Sequence, residues 1–383
     1  MRRPGLAGSC WPDNRQEEAL RAALAGGQES VAAWERLAAE VDPELHRLLP
    51  LVSRTIESAG DGATDQARLA GLYRHTWYLN QRKLYDAAPW LEQLTDAGFD
   101  TMVLKGTTLS LHYYDDLGVR PMADVDIMVP LRQADRALDH LEAAGWRDIG
   151  RIPRSHLWRW YHGSGLVHPS GAQLDVHWYL GRPFILADDP DASSDDFWAD
   201  AQPFSVRDVP THRLSATDEL LHTCMHGTWA GSAATVRWVA DAVTVLRAAG
   251  SEIRWARVID QARRRRMVVP LRNAFAYLIG RFDAPIPGEV VTALRAEPTT
   301  RRERRRYRIT AGASEGPALL GGLVSTRAHW AHVRAPWGRL RSTRELPGFL
   351  ADLWRLDHVR QLPLEAARKA WRRTGLAIRG SRQ

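Results

Sequence analysis

The sequence predicts an α+β protein in which a small mixed β-sheet is flanked by N-terminal and C-terminal helical regions. Three observations support this fold class. Apolar residues recur at three- and four-residue spacing before position 98 and again after position 215, as packed helices require. Between these regions, short runs alternate apolar and polar side chains, as half-buried strands do. Helical patterns separate some of these runs, which indicates helices interspersed with the strands.

The predicted organisation has three parts. Residues 1–98 form an N-terminal helical region, residues 99–210 a sheet domain, and residues 211–383 a C-terminal helical domain with a basic tail. Gly98 follows the long helical pattern as its C-cap, because glycine adopts left-handed backbone angles at little cost. A chain of 383 residues can hold two or three units, each with its own core.

Three short runs in the sheet domain carry the strand pattern. The first, Thr101 to Leu104, precedes the turn Lys105-Gly106 and a helix-like segment, TTLSLHYYDD. The second extends from Ala123 to Val129 and precedes the amphipathic helix LRQADRALDHLEAAGW. The third extends from Gln173 to Trp178, and a further β-like pair is predicted between Leu157 and Val167.

The composition argues against several classes of protein. No run of about 18 apolar residues is present, so no membrane-spanning helix is expected. The N-terminus has no apolar segment of the kind that a secretion signal contains. Cys10 and Cys224 are the only cysteines and lie far apart, so neither a disulfide scaffold nor a zinc site is expected. These features predict a cytoplasmic protein.

The positive charge is a weaker guide to a partner. A net charge of +7 and a pI near 9.7 are compatible with nucleic-acid binding. Lysine, however, occurs only at positions 83, 105 and 369, and such a strong arginine bias is equally typical of a GC-rich coding sequence. The arginine run at 301–306 has one adjacent aromatic residue, Tyr307, which favours a solvated helix. We therefore expect no nucleic-acid partner.

The strongest candidate site is the pair Asp124 and Asp126. Residues two apart on a strand project from the same face, where two carboxylates repel each other. A divalent cation with oxygen ligands, Mg²⁺ or Mn²⁺, would relieve this repulsion. A solvated strand edge that carries two acids is the plainer interpretation of the pair alone.

A third carboxylate strengthens the metal interpretation. Asp175 lies on another alternating run and, if the two strands are neighbours, would converge with the first pair. Three such carboxylates are what two-metal phosphoryl transfer uses. His177 shares the face of Asp175 and is a candidate to orient that acid or to contact substrate.

Lys105, Gly106 and Thr107 stand between a predicted strand and a helix start. Glycine permits close backbone approach, and amide groups at a helix start favour anions, so this turn is a candidate phosphate-binding loop. The plainer interpretation is an ordinary turn that a threonine caps.

The run VLKGTTLSLHYYDDLGVRPMADVDIMV, with LDVHW about fifty residues later, resembles a bacterial nucleotidyltransferase family of largely uncharacterised function in the polymerase-beta-like superfamily. The resemblance extends through LLHTCMHG and VRWVADAV, and it makes 99–210 the catalytic domain. It implies that Asp124 and Asp126 are metal ligands and that Asp175 is the third carboxylate. It also implies that Lys105 and Gly106 form the phosphate loop and that Arg120 lies near the phosphates. The sequence departs from the superfamily in having Lys-Gly-Thr where Gly-Ser is usual.

The resemblance implies transfer of a nucleoside monophosphate from an NTP, expected to be ATP, to a hydroxyl acceptor. A small molecule, a sugar and a peptide or protein remain open as acceptors. Two alternatives from other classes are a nucleotide-binding protein without turnover and a nucleic-acid-binding protein that uses the basic C-terminal region.

Weaker patterns lie in the C-terminal region. His222 and His226 are four apart on one helix face, where a packed pair is favoured over a zinc site, and His226 is a candidate substrate contact. Arg237 and Asp241 are predicted to form a surface or interdomain ion pair. Two amphipathic patterns near the end of the sequence fit either peripheral membrane contact or a cover for the helical core.

Overall fold

The computed structural model describes most of the chain between residues 10 and 311 and short pieces beyond. The described residues are 10–40, 45–60, 63–149, 161–181, 184, 192–228, 236–311, 344, 346–348, 350, 351, 354 and 356–368. Part of the predicted β-like pair, residues 157–160, lies outside them, as does most of the last amphipathic pattern.

The helices that precede the sheet agree with the predicted helical region. A capping box begins the first of them, since Asp13 accepts a hydrogen bond from the Gln16 amide and Gln16 accepts one from the Asp13 amide. Gly98 has φ +80° just after the long fourth helix, as the predicted C-cap requires. These helices are α1 (Asn14–Leu24), α2 (Gly27–Leu37), α3 (Leu49–Ala59) and α4 (Gln66–Asp96).

One mixed sheet joins the strands of the described residues, in the order β3-β4-β5-β2-β1-β7-β6. The pairs β2–β5 and β1–β7 are parallel, and the other pairs are antiparallel. A mixed sheet with flanking helices confirms the predicted α+β class. The strands are β1 (Met102–Leu104), β2 (Val125–Met128), β3 (Arg147–Asp148), β4 (Gly163–Val167), β5 (Gln173–His177), β6 (Gln202–Val206) and β7 (Val209–Arg213).

The remaining helices lie between and after the strands, and two of them, Ala192–Ala199 and Gly288–Ala296, were not predicted from the sequence. The segment predicted as one helix after β1 is a short α5 (Lys105–Thr108) that continues into a π-helical turn, Leu109–Tyr113. The other helices are α6 (Leu131–Ala143), α7 (Ala192–Ala199), α8 (Ala216–Thr228), α9 (Arg237–Ala249), α10 (Trp255–Arg264), α11 (Val268–Phe282), α12 (Gly288–Ala296) and α13 (Arg301–Ala311). No helix in the described ranges is long and apolar enough to cross a membrane.

Two apolar cores lie on the two faces of the sheet. Because side chains alternate along a strand, Met102 and Leu104 join one core while Val103 joins the other. The first core contains residues of α1–α3 and of α8–α12. The helices that precede the sheet in sequence and those that follow it therefore pack together on one face of the sheet. The second core contains residues of α4 and α6. A division at residues 98 and 210 stays a prediction.

Gly227 sets how closely α8 approaches α9. A Cβ atom at this position would overlap the ring and the Cβ atom of Trp238. We expect Gly227→Ala to lower the free energy of unfolding by about 1–3 kcal/mol, because overpacking outweighs the better helix propensity of alanine. Chemical denaturation of purified protein measures this change.

Gly71→Ala in α4 is the matched control. A Cβ atom there meets nothing within 4 Å. This substitution should raise the free energy of unfolding by about 0.5–1 kcal/mol. Equal effects of the two substitutions would contradict the close approach of α8 and α9.

Candidate active site

The sheet register places Asp126 directly opposite Asp175. β2 pairs in parallel with β5, and this pair of carboxylates shares one register position. On the other side of β2, Leu104 pairs with Asp126, so Lys105 begins where β1 ends beside the same carboxylate. The two acid-bearing strands are therefore neighbours, as convergence of their carboxylates requires.

Asp126, Asp175 and His177 form a compact group. His177 Nε2 lies 3.0 Å from Asp126 Oδ1 and 3.1 Å from Asp175 Oδ2. One ligand atom from each residue lies within 4.8 Å of the others, so the group could hold a metal ion. The carboxylate oxygens of Asp126 and Asp175 are suitable ligands for Mg²⁺ or Mn²⁺. The imidazole of His177 contacts both carboxylates and so orients them. Asp124 is not part of this group and lies just before β2.

Lys105 reaches the group from an uncommon backbone conformation. Its φ is +48°, in the left-handed region that a residue with a Cβ rarely adopts. The Lys105 ammonium group contacts Asp126 Oδ1 and lies 3.3 Å from His177 Nε2. Strain of this kind is retained where the surrounding structure or a function requires it, and here it accompanies a buried ion pair.

The charges of the group shift its pKa values in opposite directions. Burial raises the pKa of Asp124, and the nearby Asp126 and Asp175 raise it further. Burial also disfavours ionised Asp126, but Lys105 and His177 outweigh it and hold the pKa of Asp126 well below its usual range. Burial and Lys105 lower the pKa of His177, yet the carboxylates of Asp175 and Asp126 raise it to about 9. Of the three neighbouring acids Asp124, Asp126 and Asp175, Asp124 is therefore the one that protonates most easily.

A cleft of about 200 Å³ opens beside this group. Nine residues named from the sequence line it: Lys105, Gly106, Arg120, Asp124, Asp126, His222, His226, Arg237 and Asp241. A Cβ atom at Gly106 would come within 2.9 Å of Arg120 Nη1 and Met122 Cγ, which explains the need for glycine there. Thr107 is not among the lining residues; it is fully buried, and its hydroxyl has no hydrogen-bond partner among the described residues.

Arg120 is held by a buried carboxylate of the C-terminal region. Its Nε and Nη2 atoms donate to the two oxygens of Asp241 over 2.8 and 2.9 Å, and Tyr114 donates to the same carboxylate over 3.0 Å. Arg237, the partner predicted from the sequence, lies 4.0 Å from Asp241. The predicted ion pair is therefore present, but a surface location is wrong, because Asp241 is 4% exposed and pairs mainly with Arg120.

Two residues that the sequence did not single out for this role fix the turn before Asp124. The buried Asn80 side chain donates to the carbonyl oxygens of Leu117 and Arg120 and accepts from the Met122 amide. From the opposite side, Arg237 Nη1 donates to the Pro121 carbonyl oxygen over 2.7 Å. An Asn in a helix interior gives no sequence signal for contacts forty residues away.

α8 presents a further set of polar residues to the cleft. His222 and His226 pack edge to face with ring centroids 6.1 Å apart, so they form the predicted packed pair. Glu219, one turn earlier, is fully buried, and both of its carboxylate oxygens lack a hydrogen-bond partner in the described structure. Burial raises the pKa of Glu219 to about 8, although Arg120 opposes this shift. The nearby Thr223 lowers the pKa of Glu219 to a smaller extent, without a hydrogen bond from its hydroxyl to either carboxylate oxygen.

The raised pKa of Glu219 predicts a pH-dependent stability. Between its unfolded pKa, near 4.5, and its folded pKa, about 8, the folded protein retains a proton that the unfolded chain releases. The stabilisation is fully present below the unfolded pKa and is lost as the pH rises towards 8. We expect Glu219→Gln to unfold at a higher temperature than the wild type, with a difference that grows from pH 5 to pH 8.

Thermal unfolding of both proteins at several pH values measures this difference. Glu289→Gln, at an exposed position in the first turn of α12, is the control and should change little with pH. A constant difference between Glu219→Gln and wild type at every pH would show that Glu219 does not titrate in this range.

The mixed sheet thus brings Asp126 and Asp175 together beside Lys105, next to an open cleft. The chain belongs to the family described as "Uncharacterised nucleotidyltransferase", because the model of that family matches residues 31–282. A solved structure of an antigenic nucleotidyltransferase-like protein from Paracoccidioides brasiliensis is similar at 15% identity and a TM-score of 0.36. The match covers 58% of this chain and 96% of that one. No curated protein sequence matches the chain.

Proposed function

We propose that the protein is a metal-dependent nucleotidyltransferase that moves a nucleoside monophosphate from an NTP to a hydroxyl acceptor. The observation that carries this proposal is the β2–β5 register, which opposes Asp126 and Asp175 next to Lys105. ATP is the expected donor, and a small molecule, a sugar or a protein hydroxyl is the acceptor. Cys10 and Cys224 are buried and form no disulfide bond, which fits the cytoplasmic location that the sequence predicts.

Carboxylates at three positions would hold the metal. Asp124, Asp126 and Asp175 supply oxygen ligands, and Mg²⁺ or Mn²⁺ bound there would neutralise charge on the phosphates. Counted together, these three anions outnumber the cations Lys105 and His177 by one, so the group favours an additional cation.

The cationic residues of the cleft would bind the triphosphate. Lys105, Gly106 and Arg237 line the cleft, and the missing side chain of Gly106 leaves room for Arg120 Nη1 and Met122 beside the proposed phosphate loop. Thr107 would contribute through its backbone rather than its buried hydroxyl. Arg120 keeps Nη1 on the side of Gly106 while Asp241 holds its other nitrogens.

The proposed reaction is an in-line displacement at the α-phosphorus. The acceptor oxygen forms a bond to the α-phosphorus, the bond from that phosphorus to the bridging oxygen breaks, and pyrophosphate leaves with the bonding electrons. The acceptor proton passes to Asp175, which is partly exposed and oriented by His177. His226 lines the cleft and would contact a substrate, whereas the fully buried His177 would act through Asp126 and Asp175.

Label transfer tests the proposal. Purified protein is incubated with each α-labelled NTP, Mg²⁺ and a cell extract, and both label transfer and pyrophosphate release are followed. Wild type should transfer label and Asp124→Ala should not. Saturable NTP binding without pyrophosphate release would favour a non-catalytic binder. Indistinguishable results for wild type and Asp124→Ala would rule out the enzyme.

A further inference from the structure

Glu219 and His222 are buried polar residues with no assigned role. They are 0% and 2% exposed, both line the cleft, and they lie one turn apart on α8. The two Glu219 oxygens and His222 Nε2 have no hydrogen-bond partner in the part of the chain that the structure describes. A buried polar atom without a partner costs about 1–3 kcal/mol, so three such atoms at one cleft wall require an explanation.

A purely structural role does not account for these residues. At such a buried position, leucine or methionine would fill the space without any unpaired polar atom. Arg120 and Asp241, in contrast, pair with each other through two hydrogen bonds. Among the described residues that line the cleft, four buried side-chain atoms lack a hydrogen-bond partner; three belong to Glu219 and His222 on α8, and the fourth is Arg237 Nε.

The chemistry of the two side chains defines what they can bind. Burial raises the pKa of Glu219 and, helped by His226 and Lys105, lowers that of His222, so burial favours the uncharged form of both side chains. A protonated carboxyl group offers one donor and one acceptor, and the unpaired His222 Nε2 offers one further donor or acceptor. Glu219 and His222 thus have no positive charge to attract a phosphate group. The cations Lys105, Arg237 and Arg47, which line the same cleft, favour phosphate instead.

We propose that Glu219 and His222 form a polar subsite that binds an uncharged substrate group able both to donate and to accept hydrogen bonds. An amide edge, a hydroxyl group or the edge of a nucleobase has this chemistry. The inference rests on the proposed function, because the subsite serves a substrate whose phosphates lie at Lys105. The group belongs either to the NTP, as its base, or to the acceptor, and the two sources differ in which binding step they affect.

The test uses the full chain and three substitutions at the subsite. Glu219→Gln keeps one donor and one acceptor, whereas Glu219→Leu and His222→Phe remove them. Cys224→Ala, a truncation on the same helix that does not line the cleft, is the matched control for altered packing. Binding of each of the four NTPs with Mg²⁺ is measured by calorimetry, and label transfer is measured across a dilution series of cell extract.

If the nucleobase occupies the subsite, Glu219→Leu and His222→Phe should weaken binding of the preferred NTP by about tenfold and reduce selectivity among the four. If the acceptor occupies it, NTP binding should stay unchanged while half-maximal transfer requires about tenfold more extract. In both cases Glu219→Gln and Cys224→Ala should remain near wild type.

The subsite is ruled out if Glu219→Leu or, should that protein not fold, His222→Phe binds every NTP and transfers label as wild type does. A Cys224→Ala loss as large as the others would also overturn it, because the effect would then come from packing. A different result contradicts the proposed function itself: wild type that binds no NTP in the presence of Mg²⁺.

Discussion

Asp126→Asn is expected to lower nucleotidyl transfer by about a thousandfold, equivalent to about 4 kcal/mol of transition-state stabilisation. The amide has nearly the same shape as the carboxylate, so it can still accept a hydrogen bond from Lys105. It has no negative charge, however, and thus binds a divalent cation far more weakly. Because Asp126 lies between Lys105, His177 and Asp175, no neighbouring acid can take its place.

The measurement is pyrophosphate release at saturating NTP, together with thermal unfolding to establish that the variant is folded. Asp208→Asn is the matched control, because Asp208 is exposed in the left-handed turn between β6 and β7, where asparagine is well tolerated. Asp208→Asn should retain full activity. Activity of Asp126→Asn within a few-fold of wild type would place the metal elsewhere.

Arg120→Leu is expected to lower the free energy of unfolding by about 3–5 kcal/mol, because it leaves the Asp241 carboxylate buried without its main partner. Both side chains of the pair are 6% exposed, so water cannot replace the lost contact. Tyr114 would still donate to Asp241, but one neutral hydrogen bond cannot offset two charge-assisted ones. Chemical denaturation measures the loss.

An exposed ion pair provides the contrast. Arg82 and Asp86 on α4 are 3.7 Å apart and largely exposed, so Arg82→Leu should change stability by less than about 1 kcal/mol. Combining Arg120→Leu with Asp241→Leu should recover part of the loss, because no unpaired charge then remains. A loss for Arg120→Leu no larger than that for Arg82→Leu would contradict the buried pair.

Local patterns in the sequence were sufficient for most of the fold. The alternation at 101–104, 123–129 and 173–178 predicted β1, β2 and β5 to within a few residues, since these strands bury one or both faces. The π-helical turn at Leu109–Tyr113 was not predicted, because its apolar spacing is close to that of an α-helix. β3 is two residues long, too short to show any period.

The candidate site was only partly predictable, for a different reason. Asp126 and Asp175 carry a signal in their own strands, but their shared register position depends on sheet topology, which a single sequence does not encode locally. Arg120 and its partner Asp241 are 121 residues apart in the sequence. Helical spacing instead favoured Arg237, four residues from Asp241, as the partner of that carboxylate. Glu219 has no sequence signal at all, because a lone glutamate in a helix is usually solvated.

The two walls of the cleft are made at different times during synthesis. Strand ends supply the carboxylates, whereas α8 and α9 supply Glu219, His222 and Asp241 much later in the chain. A nascent chain that has reached only β5 thus carries its acids without the opposing wall. We expect the proposed nucleotide binding only after α8 and α9 have been made. Nucleotide at a hundred times its Kd would then stabilise the folded chain by about 2.7 kcal/mol.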